Sequence, residues 1–127
     1  MDERERIRQE KMKKLQNEMN MPGEPITVTD SDLEDALQKY DMLVVDFWAT
    51  WCMPCKMVEP HVEALAKEMK GDVVFARMNV DENPRTASKF QIMSIPTLMV
   101  FKQGAPVKRI IGAVPKQQIE QQIKEVA

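Results

Sequence analysis

The chain carries two cysteines, three positions apart in the run Trp51-Cys52-Met53-Pro54-Cys55. A disulfide that staples a fold gains most by closing a long loop, and this pair would close a very short one. In a reducing compartment, a close cysteine pair is more often catalytic or metal-binding. The pair follows the apolar run Met42–Trp48 and precedes Val58, Val62, Leu65 and Met69, which recur at helical spacing. It therefore falls at a helix start. Free N–H groups and positive potential at that end stabilise a thiolate, so a thiol there is expected to have its pKa drawn toward neutrality. The thiolate is the nucleophile of disulfide exchange, and it works best with a pKa near ambient pH. Two intervening residues let the second sulfur reach the first across one helical turn. Such a pair beside a β–α–β pattern reads as a redox centre. The rival reading is metal, but structural zinc takes about four Cys or His ligands. This chain has two Cys and one His, and that residue, His61, follows Pro60 within the helical stretch, where it reads as solvent-facing or locally packed. No metal site is expected.

Asp46 interrupts the apolar run Leu43-Val44-Val45-Asp46-Phe47-Trp48. Burying a carboxylate is costly, and desolvation raises its pKa. A buried acid near a reactive thiol is a candidate proton acceptor; the alternative is that Asp46 faces water at the strand end. Ile95-Pro96-Thr97 opens a later strand. Proline there can be simple punctuation, and a cis bond before it is possible but not readable from sequence.

The elements that must hold these residues alternate. Ile26–Val28 reads as a short strand, and Thr29, Asp30 and Ser31 offer N-caps for a helix through Leu33, Ala36 and Leu37. Met42–Trp48 is apolar enough for a central strand covered on both faces. Gly71 stands where the long helix should end, with Lys67 and Lys70 in its last turn. Val73–Asn79 reads as a strand, and Asn83–Phe90 as a short helix with Pro84 in its first turn. Thr97–Phe101 and Val107–Ile111 read as two strands around Gln103-Gly104-Ala105-Pro106, and Pro115 opens a last helix carrying Ile119, Ile123 and Val126. Strands that first alternate with helices and then form a hairpin indicate a mixed sheet flanked by helices.

Residues 1–22 differ from the rest. They are dense in charge of both signs, with Asp2–Arg6 and Glu10–Lys14 at i,i+4 and only a thin apolar stripe in Ile7, Met12, Leu15 and Met19. Pro22, Gly23 and Pro25 break any helix. The segment reads as a helical or flexible extension, either a solvated appendage or a docking arm, ahead of a domain spanning 23–127.

At 127 residues and 43% apolar content, one ordinary folded domain is expected. A net charge of −2 argues against general binding to nucleic acid backbones. There is no apolar run long enough for a membrane span, and the charged N-terminus does not read as a signal peptide. The expected compartment is the cytoplasm.

Several separated motifs together resemble the thioredoxin family over roughly residues 26–127. Val44-Asp46-Phe47-Trp48-Ala49 followed by Trp51-Cys52-x-Pro54-Cys55-Lys56 is similar to its active-site stretch, and Arg77-Met78-Asn79-Val80-Asp81-Glu82-Asn83-Pro84 to its third strand and following turn. Ile95-Pro96-Thr97 resembles its cis-proline segment, and Phe101-Lys102-x-Gly104 with Ile111-Gly112-Ala113 its final hairpin and the loop beyond. The resemblance implies an α/β thioredoxin fold, a five-stranded mixed β-sheet with helices on both faces. It implies that Cys52 attacks, that Cys55 is the buried resolving thiol, and that Asp46 helps deprotonate Cys55 through water. Pro96 would be cis and lie against the sulfurs. Trp51, Met53, Pro54, Val80, Ile95, Gly112 and Ala113 would form an apolar surface for substrates, with Lys56 and Arg77 as supporting charges. Arg77 stands where the family usually has lysine, which keeps charge but changes geometry. Met53 stands where its commonest motif has glycine, which bears on redox potential and partner choice.

The function implied is reduction of disulfides in target proteins, with no cofactor beyond the redox-active cysteine pair. A separate thioredoxin reductase, flavin-dependent by the same resemblance, would re-reduce the chain. No glycine-rich dinucleotide fingerprint is present. A disulfide isomerase or oxidant is a second redox reading, disfavoured by the expected cytoplasmic location. A non-catalytic binding module or assembly subunit using the surface around Trp51 is the alternative from another class.

Overall fold

A computed structural model describes residues 2–127; within the first helix, the side chains at positions 14 and 16–20 lie outside the described set. The elements run α1 (Glu3–Asn20), β1 (Ile26–Thr27), α2 (Leu33–Lys39), β2 (Met42–Trp48), α3 (Met53–Glu68), β3 (Val74–Asn79), α4 (Pro84–Lys89), β4 (Thr97–Lys102), β5 (Ala105–Ile111) and α5 (Lys116–Val126). The sheet has five strands in the order β1-β3-β2-β4-β5. β1, β3 and β2 are parallel, and β4 and β5 run antiparallel to their neighbours.

The two faces of the sheet follow from alternation along β2. Met42 and Val44 join Phe75, Leu98, Val100 and Ile110 in a core against Val58, Val62 and Leu65 of α3 and Ile119 and Ile123 of α5. Leu43, Val45 and Phe47 join Met78, Met99 and Phe101 in a second core under Leu33, Ala36 and Leu37 of α2. Each fully buried Leu or Phe contributes about 1.5–3 kcal/mol, so both faces of β2 hold the sheet between its helices. Asp46 has the parity of Met42 and Val44, and Arg77 that of Phe75. Both therefore belong to the α3 side.

Three local readings are corrected. The last hairpin turns on Gln103 and Gly104 alone, and β5 begins at Ala105, not Val107. Pro106 is tolerated because β5 is an edge strand; Phe101 pairs with Pro106 and Val100 with Lys108, leaving Val107 as an irregularity in the ladder. The N-cap of α2 is Asp32. Asp30 is used elsewhere: its carboxylate accepts from the backbone N–H groups of Arg85 and Thr86 at 3.2 and 2.9 Å, at the start of α4. In α1, Asp2 is not held in an ion pair with Arg6 but accepts from the Glu5 backbone N–H at 2.9 Å, capping the helix. Glu10–Lys14 and Met19 involve side chains outside the described residues. Ile7, Met12 and Leu15 are exposed, whereas Met21, just past α1, packs against the second core beside Ile26 and Tyr40.

Candidate active site

The end of β2 delivers the chain into the site. Ala49 is buried, its carbonyl accepts from the Cys52 N–H at 3.2 Å, and Cys52 becomes the N-cap of α3. Cys52 and Cys55 are joined in a disulfide with their Cα atoms 5.3 Å apart. The Cys52 Sγ accepts from the Cys55 backbone N–H at 3.2 Å. This is an N-cap interaction made by sulfur, and it aims a free helix donor at the atom that would carry thiolate charge. Pro54 lies in the first turn, where its missing N–H costs nothing.

Both cysteines are covered in the disulfide state, at 3% and 1% exposure for Cys52 and Cys55, so the expected contrast in accessibility is small in this form. The cover is local: Ala49 and the two cysteines form their own apolar cluster, against which Trp48, Val80 and Ile95 pack. The Ile95–Pro96 bond is cis, and the Ile95 carbonyl oxygen lies 3.8 Å from the Cys52 Sγ. Gly112, at φ 92°, donates its N–H to the Pro96 carbonyl at 2.9 Å, which ties the loop after β5 to the same segment. Beside the disulfide in the chain, Trp51, Met53 and Pro54 are exposed, as is Ala113 in the loop after β5. The Trp51 indole N–H donates to the Asp81 carboxylate at 2.9 Å.

Asp46 is 1% exposed. Its Oδ2 lies 3.5 Å from the Arg77 Nε, and Arg77 Nη1 lies 3.4 Å from the Glu59 carboxylate. Burial pushes the Asp46 carboxyl up from 3.8 to about 6; Arg77 pulls it down, and the Glu59 charge adds to the rise. The Arg77 guanidinium also sits over the Trp48 ring, 4.4 Å from its centroid. No hydrogen bond joins Asp46 to either sulfur among the described residues. A small cavity of about 130 Å³ on this side is lined by Cys55, Lys56, Glu59, Arg77 and Trp48. A larger cleft, of about 820 Å³, lies between β1 and α3 and is lined by neither cysteine. Among the described residues no cluster of His, Cys, Asp and Glu could hold a metal ion, and no helix is long and apolar enough to cross a membrane.

The structure thus gathers Cys52, Cys55, Val80, Ile95 and Pro96 at one end of the sheet, with Trp51, Met53 and Pro54 beside them. Lys56 is exposed on the flank toward Arg77. Two participants were not singled out from sequence. Glu59 is four residues after Cys55, so helical spacing alone puts it on the same face. Asp81, the partner of Trp51, has no comparable short-range signal.

A helix-capping cysteine pair at the end of a central parallel strand, faced by a cis-proline segment, defines a thiol–disulfide oxidoreductase on an α/β scaffold. A family model described as thioredoxin matches residues 24–125. Thioredoxin of Alicyclobacillus acidocaldarius is 50% identical over 101 residues, covering 80% of this chain and 96% of the relative. Thioredoxin of Mycobacterium tuberculosis is 49% identical over 102 residues, covering 80% and 88%. A mutant thioredoxin from Halobacterium salinarum superposes with a TM-score of 0.78 at 35% identity, covering 83% of this chain and 92% of that one. The chain belongs to the thioredoxin family, and its Cys52–Cys55 pair is the redox centre of a disulfide reductase.

Proposed function

We propose that this protein is a general cytoplasmic reductant of protein disulfides in which Cys52 attacks, Cys55 resolves and Asp46 takes the Cys55 proton. The observation that carries the reading is the N-cap geometry of Cys52, whose sulfur accepts from the Cys55 N–H at 3.2 Å. In the reduced chain the same donor favours the Cys52 thiolate. That thiolate attacks one sulfur of a target disulfide, forms a Cys52–target disulfide and releases the other target sulfur as a thiolate. Cys55 then loses its proton and attacks Cys52. The intramolecular disulfide forms, and the second target sulfur leaves. Two electrons pass to the target, and two must be returned by a separate reductase, proposed to be flavin-dependent.

Burial of Asp46 suits it to the second step. A carboxyl with a pKa near neutrality can accept a proton and give it up again at working pH. Trp51, Met53 and Pro54, with Val80, Ile95, Gly112 and Ala113, are proposed to meet the target, and Pro96 to shape the wall against the sulfurs. Lys56 and Arg77 supply positive charge on the flank. Residues 1–22 are proposed to lie outside the catalytic unit. The test is reduction of insulin by the full chain with dithiothreitol as donor: catalysed reduction, abolished by Cys52→Ser, is expected. Absence of catalysis by the native chain would overturn the reading.

A further inference from the structure

Among the described residues Asp46 has one ionic partner, and that partner is shared. Arg77 offers Nε to Asp46 and Nη1 to Glu59 at nearly equal distances, 3.5 and 3.4 Å. Neither contact is short for a charge-assisted bond, which runs at roughly 2.7–2.9 Å. The guanidinium is held over Trp48 by stacking and lies between two carboxylates, locked onto neither. The carboxylates differ in setting: Asp46 is buried on β2, while the Glu59 side chain, on α3, is 38% exposed. Glu59 also lines the cavity that reaches Cys55, one helical turn away.

We propose that Glu59 is a positioning residue for the exchange reaction: it competes with Asp46 for the Arg77 guanidinium, and so keeps the buried carboxylate basic enough to accept the Cys55 proton. The proposal rests on the reading of Asp46 as that acceptor. The surroundings leave few other groups to do this. From β4 the residue opposite Asp46 is Leu98, and α5 brings Ile119 and Ile123 to this layer. The charged groups on this side are Arg77 from β3 and Lys56 and Glu59 from α3, and the adjoining cleft is lined by Glu24, Glu63, Lys67, Lys70 and Glu82.

Removing the Glu59 charge lets the guanidinium serve Asp46 alone. A nearer, undivided positive charge favours the ionised carboxylate, so Asp46 becomes a weaker base. Neutralising Arg77 acts in the opposite direction.

The experiment is a titration of the Asp46 side-chain carboxyl by carbon-13 NMR in the oxidised full chain. Native protein, Glu59→Gln and Arg77→Gln are compared, with the pH profile of mixed-disulfide resolution measured alongside. Glu59→Gln is expected to lower the Asp46 midpoint by roughly half a pH unit or more, about threefold in proton affinity, and to move the resolution profile the same way. Arg77→Gln is expected to raise the midpoint. An Asp46 midpoint unchanged in Glu59→Gln overturns the proposal. If the midpoint moves but Asp46→Asn leaves the resolution profile untouched, the acceptor reading fails, and the role of Glu59 in the reaction falls with it.

Discussion

Asp46 and Arg77 stand opposite each other in register on β2 and β3, yet the pairing between them is one-sided. Oδ2 faces the Arg77 Nε at 3.5 Å, while Oδ1 is buried with no hydrogen-bond partner among the described residues. A buried carboxylate satisfied on one oxygen costs stability whenever it is ionised.

The sign of the resulting pH dependence follows from linkage. The folded-state pKa of Asp46 is raised from 3.8 to about 6. Between those values the folded chain binds more protons than the unfolded one, so stability falls as pH rises. The contribution is fully present below about pH 4 and is lost as pH passes through about 6; the displacement amounts to roughly 3 kcal/mol. Asp46→Asn removes the titration. Urea unfolding at pH 8 should show the variant more stable by up to about 3 kcal/mol, with the two proteins converging near pH 4. The same variant should resolve mixed disulfides more slowly above pH 6. A stability difference that does not vary with pH would show that Asp46 does not titrate in this range.

Much of this site was legible because its determinants are local. The cysteine spacing, the acid inside an apolar run and the helical recurrence after Cys55 all lie within one β–α unit. What escaped depends on distant partners. Asp30 sits among plausible caps for α2, but its carboxylate reaches α4, more than fifty residues on. Pro106 reads as turn chemistry until β5 is known to be an edge strand. Glu59 could be placed on the Cys55 face by counting, but its competition for Arg77 depends on the register of β3 against β2.

Trp51 is 68% exposed, and its indole N–H is anchored on Asp81. Under the proposed function, this exposed aromatic beside the disulfide contributes to target binding more than to folding. Trp51→Ala should lower kcat/KM toward a protein disulfide by about five- to thirtyfold, equivalent to about 1–2 kcal/mol. Unfolding stability should change by about 0.5 kcal/mol or less. Steady-state reduction of insulin and of a small disulfide separates the effects: loss confined to the protein substrate is expected, and equal loss on both would assign Trp51 to the chemistry.

A chain starting at Gly23 removes α1, and with it Met21, which packs against the second core. Losing one half-buried methionine costs about 1 kcal/mol. The truncated chain should therefore melt a few degrees lower and reduce insulin at the native rate. A collapse of activity at a temperature where the truncated chain remains folded would place residues 1–22 within the catalytic unit.

The last prediction separates a reductant from a sulfur trap. Cys55 lies one helical turn from Cys52, so its attack on a mixed disulfide is intramolecular and gains the large effective concentration of a positioned neighbour. In Cys55→Ser the first exchange proceeds, but the serine hydroxyl cannot complete the second. This variant should accumulate covalent adducts with target proteins that dissolve on adding a small thiol, visible as a shift on non-reducing gels. In Cys52→Ser the sulfur capped by the helix is gone, and the remaining thiol has no such helix donor to favour its thiolate. Few or no adducts are expected. Alkylation of the reduced native chain near neutral pH should modify Cys52 before Cys55, because the donor at 3.2 Å from the Cys52 sulfur favours its thiolate. Faster labelling of Cys55, together with adducts formed by Cys52→Ser and not by Cys55→Ser, would reverse the two roles.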